Sequence, residues 1–231
     1  MGVKLTTSNL GNMGQCLEKL KQLIQWNEGQ RIELGRNKVR AKGISGFWKT
    51  SDSPVEAFTG VILTFAPDGT INLNCGVVEM GPGSKTTAAQ ILAEKMQMDV
   101  SQIHVEMHVN TRTSPHHWKT VASMSTFMVG RAVLEAAEDA IRQIKSIAGM
   151  AMRCSPDDLE VAGGRVFMTS DPDFYLEFPQ IVHGFKYPNG NAVGGQVIGR
   201  GSFIMHHLTP LDRDTGRGKP GPAWTVGAQA V

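Results

Sequence analysis

Two stretches of this 231-residue chain combine glycines, hydroxyls and helix starts in a way suited to holding a large anion. The first is Gly76-Val77-Val78-Glu79-Met80-Gly81-Pro82-Gly83, and the second is Thr113-Ser114-Pro115 followed by Ala122-Ser123-Met124-Ser125-Thr126. Each puts free backbone N–H groups and small side chains at a helix N-terminus, where unpaired donors and the helix dipole favour negative charge. Neither is a standard phosphate motif. Gly83-Ser84-Lys85 has the wrong order for a P-loop, and the glycine spacing is not that of a dinucleotide site. Taken singly, each is more often a plain strand-to-helix turn or a helix cap. Their joint occurrence makes a bulky anionic cofactor the reading to test.

The other reactive side chains give less. His104, His108, His116 and His117 fit no standard zinc spacing, and His206-His207 is similar, so no metal ligand is assigned. Asp212 and Asp214 with Thr215-Gly216 read as a surface turn and not as paired acids. Arg200, between Gly199 and Gly201, either reaches a ligand anion or pairs with a carboxylate. No Ser/His/Asp arrangement is legible, and no catalytic residue is assigned. Cys16, Cys75 and Cys154 are widely spaced and read as inert thiols of a reducing, cytoplasmic setting.

Elements must carry these loops. Asn12 caps an expected helix running to about Trp26, and a strand is expected within 36–49. Runs 61–65 and 71–75 alternate around Ala66-Pro67-Asp68-Gly69-Thr70 as a hairpin. The second strand runs into the first loop, and a helix follows from Ser84 to about Met96 with Ala88, Ile91, Leu92 and Met96 inward. Ile103, Val105 and Met107 alternate as a half-buried strand. After the polar loop 110–120, a long helix spans about 123–150. Gly163-Gly164 marks a second hairpin between 159–162 and 165–168, and a short helix is expected over 178–182. The stretch 185–225 reads as loop-rich, and 226–231 as the start of a strand, which suggests a piece of something longer. The fold class expected is α+β, mixed sheets packed with helices in one partial domain over 1–231.

Bulk composition sets limits. With 41% apolar and 19% charged residues the chain can bury a core, and a net charge of +2 without a Lys/Arg tract argues against nucleic acid. No signal-peptide pattern stands at the N-terminus and no window approaches 18 uninterrupted apolar residues, so no membrane span is expected.

As an ordered set, several motifs resemble the molybdenum-cofactor-binding subunit of the xanthine dehydrogenase/aldehyde oxidase family of molybdenum hydroxylases. They are Gly43-Ile44 with Phe47-Trp48-Lys49, Val78-Glu79-Met80-Gly81-x-Gly83, Thr113-Ser114-Pro115, Ala122-Ser123-x-Ser125-Thr126, Gly130-Arg131-Ala132-Val133, Gly194-Gly195-x-x-x-Gly199-Arg200-Gly201 and Trp224-Thr225-x-Gly227-Ala228-Gln229-Ala230-Val231. The likeness covers nearly the whole chain. It implies a molybdopterin-type molybdenum cofactor, with Glu79, Met80, Gly81, Pro82 and Gly83 along its pterin or phosphate. Ala122, Ser123 and Ser125 would stand at its dithiolene end. Glu79 opposes a phosphate, so it is expected to accept backbone or pterin N–H bonds.

The resemblance further implies hydroxylation of heteroaromatic or aldehyde substrates, with electrons leaving through an iron–sulfur subunit, often to an FAD subunit. Three departures stand out. Pro82 replaces the family's usual Gln and lacks a backbone donor. The family's catalytic glutamate, in a Gly-x-Gly-Glu motif, has no match. The earlier Gly-rich loop beside the metal is absent. The chain is therefore expected to need the remaining molybdenum-subunit segments, and to expose apolar patches around Phe47 and Trp48 or to oligomerise. Two rival readings are a cofactor-free scaffold that keeps the fold and an independent enzyme acting on a phosphate-bearing ligand.

Overall fold

In the computed structural model of the protein, residues 11–50, 57–222 and 224–231 are described. By contact the expected single domain divides into two units, Met1–Val55 with His206–Val231, and Glu56–Met205.

Among the described residues, the first helix of the first unit is α1 (Met13–Leu23), whose Asn12 cap accepts the Gln15 N–H at 3.0 Å. It ends three residues short of the expected Trp26, and a 3-10 turn covers Trp26–Glu28. The region expected to hold one strand holds two, β2 (Lys38–Ala41) and β3 (Ile44–Thr50), and β1 (Arg31–Gly35) precedes them unforeseen. β1 and β2 are joined by Arg36-Asn37, both at positive φ, the geometry of a tight hairpin. Their burial pattern is exposed throughout, so no alternation marked them. β3 pairs antiparallel with the unit's last strand, Trp224–Ala230, in full register from Trp224↔Thr50 to Ala230↔Ile44. Phe47 and Trp48, neighbours on β3, are 54% and 55% exposed, so both faces of this ribbon present apolar surface.

The second unit is built on a four-stranded sheet. β4 (Phe58–Phe65) and β5 (Ile71–Cys75) form the expected hairpin, in which Asp68 Oδ1 accepts from Thr70 N and Oγ1. Alternation buries Thr59, Val61, Leu63 and Phe65 with Ile71, Leu73 and Cys75 on one face. Helix α2 (Ser84–Met96) then returns the chain so that β6 (Ile103–Val105) lies parallel to β5. β6 is shorter than expected: Met107 falls outside it and is 53% exposed.

Helix α3 (Met124–Met152) spans 29 residues, about 43 Å at 1.5 Å per residue. Its Val133, Ala136, Ala137, Ala140, Ile144 and Ala148 bury against the sheet. β7 (Leu159–Ala162), β8 (Arg165–Met168) and β9 (Asp171–Glu177) form a separate antiparallel sheet, with Gly163-Gly164 at the expected turn. α4 (Phe178–Ile181) matches the expected short helix.

Of the stretch 185–225, expected to be loop-rich, residues 205–222 hold no helix or strand, but the part before them is ordered. β10 (His183–Lys186) pairs with β11 (Ala192–Gln196), and β12 (Ile198–Ile204) pairs along all of β4, making the sheet order β12-β4-β5-β6. Gly199 and Gly201 are strand residues. A Cβ on Gly201 would stand 2.1 Å from the Ala132 carbonyl oxygen of α3, and one on Gly199 2.5 Å from that of Ala136. So close an approach lets α3 cover the free edge of β12. Glu135 accepts the Ser202 N–H at 2.7 Å, Asp139 the Arg200 N–H at 3.1 Å, and Gln143 the Ile198 N–H at 3.2 Å. These helix residues are four apart and the strand residues two apart, steps of about 6 Å and 6.7 Å, so the two periods stay matched. The arrangement also settles Arg200's backbone, which meets a carboxylate. The remaining strand, β13 (Trp224–Ala230), is the partner of β3 and bears out the strand expected at 226–231.

Among the described residues no helix is long and apolar enough to cross a membrane.

Candidate cofactor-binding wall

The geometry starts where β5 leaves the sheet. Val61–Phe65 of β4 pair with β5, but the preceding residues have a different neighbour. There the segment 116–118 takes over. Thr59 bridges to His117, the Gly60 N–H donates to the His116 carbonyl at 2.8 Å, and the Trp118 N–H donates to the Phe58 carbonyl at 3.0 Å. Two loops therefore emerge together from one point of the sheet: 76–83, leaving β5, and 110–123, arriving at α3.

Gly76 is the residue at which they touch. A Cβ there would lie 2.3 Å from the Pro115 carbonyl oxygen and 3.0 Å from the His117 nitrogen. Only a residue without a side chain admits this crossing. Two residues on, the Val78 N–H donates to Thr120 Oγ1 at 2.9 Å. The second loop is braced internally, with the Ser114 N–H on the Asn110 carbonyl at 2.7 Å and the Asn110 N–H on Ser114 Oγ at 3.0 Å. His116 stacks on Phe58 with ring centroids 4.6 Å apart.

The first loop differs from its expected form in one respect. The N–H groups at the start of α2 are not free, because Glu79 holds them. Its Oε1 accepts from Gly81 N at 2.9 Å and Gly83 N at 3.0 Å, and its Oε2 accepts from Lys85 N at 3.3 Å. The carboxylate thus fills the anion position at this helix N-terminus. The Gly83 and Gly81 bonds hold its pKa below the ordinary glutamate range. The expectation that Glu79 accepts backbone N–H bonds is met, with Gly81 at φ 110° and Gly83 at φ 73° shaping the turn. Met80 and Pro82 project outward, Met80 being 66% exposed.

The second loop keeps its donors. Ala122 sits at φ 47°, a left-handed conformation unusual for a residue with a Cβ, and turns the chain into α3. Ser123 is the N-cap, exposed, and its side chain makes no capping bond. Ser125 is buried and its hydroxyl accepts the Val121 N–H at 2.9 Å, which fixes the turn. Among the described residues no acceptor meets the N–H groups of the first turn of α3. This end of the wall offers unpaired backbone donors beside two small side chains, a combination that suits an anionic group. A molybdopterin-type guest would meet shape at residues 79–83 and unpaired backbone donors at 122–126.

Three further groups lie behind the wall. His117 Nδ1 is 3.0 Å from Thr59 Oγ1, and its buried Nε2 has no protein partner. Burial lowers the His117 pKa, with the adjacent His116 imidazole adding to the effect. Cys75 is fully buried, and burial raises its pKa against the opposing charge of Lys85. Lys85 itself is 1% exposed. Sequence reading passed over it, although 85, 88, 89, 92 and 96 share one helical face and the last four are buried. No cluster of three or more metal-ligating side chains occurs among the described residues. Cavities of about 410 Å³ around Asp68 and Arg165 and about 620 Å³ between α2 and α3 lie away from the two loops.

The chain has relatives among known proteins. The putative xanthine dehydrogenase molybdenum-binding subunit XdhA of Escherichia coli (strain K12) is 29% identical over 164 residues, 69% of this chain and 22% of that protein. The gamma subunit of the 6-hydroxypseudooxynicotine dehydrogenase complex of Paenarthrobacter nicotinovorans is 28% identical over 66% of this chain and 18% of its own length. Among solved structures, Cu,Mo-CO dehydrogenase shares the fold with a TM-score of 0.61 at 20% identity, covering 94% of this chain and 26% of that one. Quinoline 2-oxidoreductase from Pseudomonas putida 86 gives 0.59 at 14% identity, covering 95% and 28%. The chain thus spans between 18% and 28% of the length of these proteins. The molybdopterin cofactor-binding domain family matches residues 19–231, across both units, and the chain belongs to that family.

Proposed function

We propose that this chain supplies one wall of the cofactor site in a molybdenum hydroxylase acting on heteroaromatic or aldehyde substrates, and that other molybdenum-subunit segments complete the site. The observation that carries this reading is the meeting of the two loops, through Gly76 against Pro115 and the Val78–Thr120 bond. When bound, the cofactor supplies a redox-active molybdenum that takes an electron pair from substrate.

The chain's own residues bind and orient. Ala122 and Ser123 present small groups and the donors of the α3 N-terminus to the anionic end of the guest, and Ser125 holds that turn. Glu79 fixes the opposite edge by gathering Gly81, Gly83 and Lys85, so Met80, Gly81, Pro82 and Gly83 form a rigid surface. Such fixed dipoles need no rearrangement when the guest arrives. The partners proposed are the remaining molybdenum-subunit segments, an iron–sulfur subunit and an FAD subunit, in the cytoplasm. Exposed Phe47, Trp48, Val78 and Met80 support surfaces that such segments cover.

The test is to produce the chain alone and with its encoded neighbours, and to measure molybdenum and pterin in each. Near-equimolar molybdenum and pterin in the complex alone is the expected result. A second reading, a cofactor-free scaffold, is favoured by Pro82 and by the donors that Glu79 consumes. Absence of both molybdenum and pterin from both preparations establishes it.

A further inference from the structure

We propose that Lys85 is a positioning residue for the cofactor-binding loop, and this rests on the function proposed above. Its side chain is among the largest fully buried ones in the described chain. Its ammonium donates to the carbonyl of Glu106, at the exit of β6, and the Glu106 N–H in turn donates to the Leu73 carbonyl of β5 at 2.9 Å. Its own backbone N–H donates to Glu79 Oε2, within the loop that leaves β5. One residue therefore ties the exits of two parallel strands to each other and to the carboxylate that shapes the wall.

Stability alone does not account for a lysine here. The ammonium has no ion-pair partner among the described residues, and the neighbouring Cys75 is a buried thiol whose raised pKa keeps it from supplying a counter-charge. Burying a cation without a counter-charge is costly, and an apolar side chain of similar length fits such a site as well or better. What methionine cannot supply is the directed bond to Glu106. Without it, α2 and the Glu79 turn lose their fixed height above the end of the sheet, while the core beneath stays filled.

The test uses Lys85→Met and Lys85→Gln in the co-purified assembly, with three readouts: melting temperature, amide exchange at Gly81 and Gly83, and molybdenum and pterin content. Lys85→Met is expected to melt at or above the wild-type temperature, to exchange those two amides at least tenfold faster, and to lose most of the cofactor. Lys85→Gln retains a donor for the Glu106 carbonyl and is expected to recover protection and cofactor content. Unchanged exchange in Lys85→Met overturns the proposal. So does a loss of cofactor that only parallels a loss of melting temperature, or a well-folded Lys85→Gln that recovers neither. If the wild-type assembly carries no cofactor, the functional reading falls, and the amide-exchange arm still decides the role of Lys85.

Discussion

Replacing Gly76 with alanine adds one methyl group at the point where the two loops cross. Gly76 is not among the residues at positive φ, so alanine meets no backbone penalty there. The added carbon would stand 2.3 Å from the Pro115 carbonyl oxygen and 3.1 Å from His117 Cβ. An ordinary contact requires the 115–117 segment to retreat by about 1 Å. That retreat stretches the Gly60–His116 and Trp118–Phe58 bonds, now 2.8 and 3.0 Å, past the useful range. Each bond contributes about 1 kcal/mol, and forced overpacking costs about 1–3 kcal/mol. Loss of unfolded-state freedom at Gly76 returns about 0.5 kcal/mol. The net destabilisation is about 2.5–4.5 kcal/mol, or roughly 5–18 °C in melting temperature for a unit of this size. Gly195→Ala is the control, since that glycine has nothing within 4 Å of its Cβ position and no positive φ. Thermal melts and amide shifts of residues 115–120 read the outcome. A Gly76→Ala variant that melts with the wild type and leaves those shifts in place refutes the crossing.

Other consequences follow from the same contacts. The Glu79 pKa is lowered in the folded state, so its stabilising contribution is full above the ordinary glutamate range and is lost as pH falls through the lowered value. Stability curves from pH 7 to pH 2 should therefore lose an acid-sensitive component in Glu79→Gln, and identical curve shapes would contradict the clamp. His117 is also lowered, mainly by burial, so its contribution is intact above about pH 6.5 and drains away as pH drops toward the lowered value. An imidazole titration by NMR should place it below the ordinary histidine range, and a normal titration would show that the ring is not buried. The edge ladder predicts a one-to-one map of amide exchange: Glu135→Ala exposes Ser202, Asp139→Ala exposes Arg200, and Gln143→Ala exposes Ile198. Uniform changes along β12 would rule the ladder out. The buried Cys75 thiol should resist alkylation at pH 8 on a timescale that modifies the half-buried Cys16 and Cys154, and rapid reaction would contradict its burial.

Much of the second unit was legible because its elements are half-buried and regular. The β4–β5 hairpin alternates cleanly around Pro67-Asp68-Gly69, and α2 begins at Ser84 as the glycine before it implied. β12 was missed because Gly199 and Gly201 read as loop glycines. They are small to admit the backbone of α3, a reason that appears only in three dimensions. β1 and β2 were missed for the opposite cause: their residues are exposed throughout, so no period of two was there to find. At the wall, the loops themselves were found, but not which donors remain free. Glu79 lies only two residues before Gly81 and four before Gly83, and its use as an internal anion depends on the loop folding back on itself. Lys85 carried a readable signal, a charge on the buried face of α2, but it was read only as part of a failed phosphate motif.

Anomalous X-ray scattering at the molybdenum edge, from crystals of the assembly containing this chain, tests the central claim most directly. The account predicts a metal peak facing both loops, with cofactor density in contact with Ser123 and along residues 79–83. A molybdenum centre enclosed wholly by other segments, with both loops turned to solvent, would contradict it.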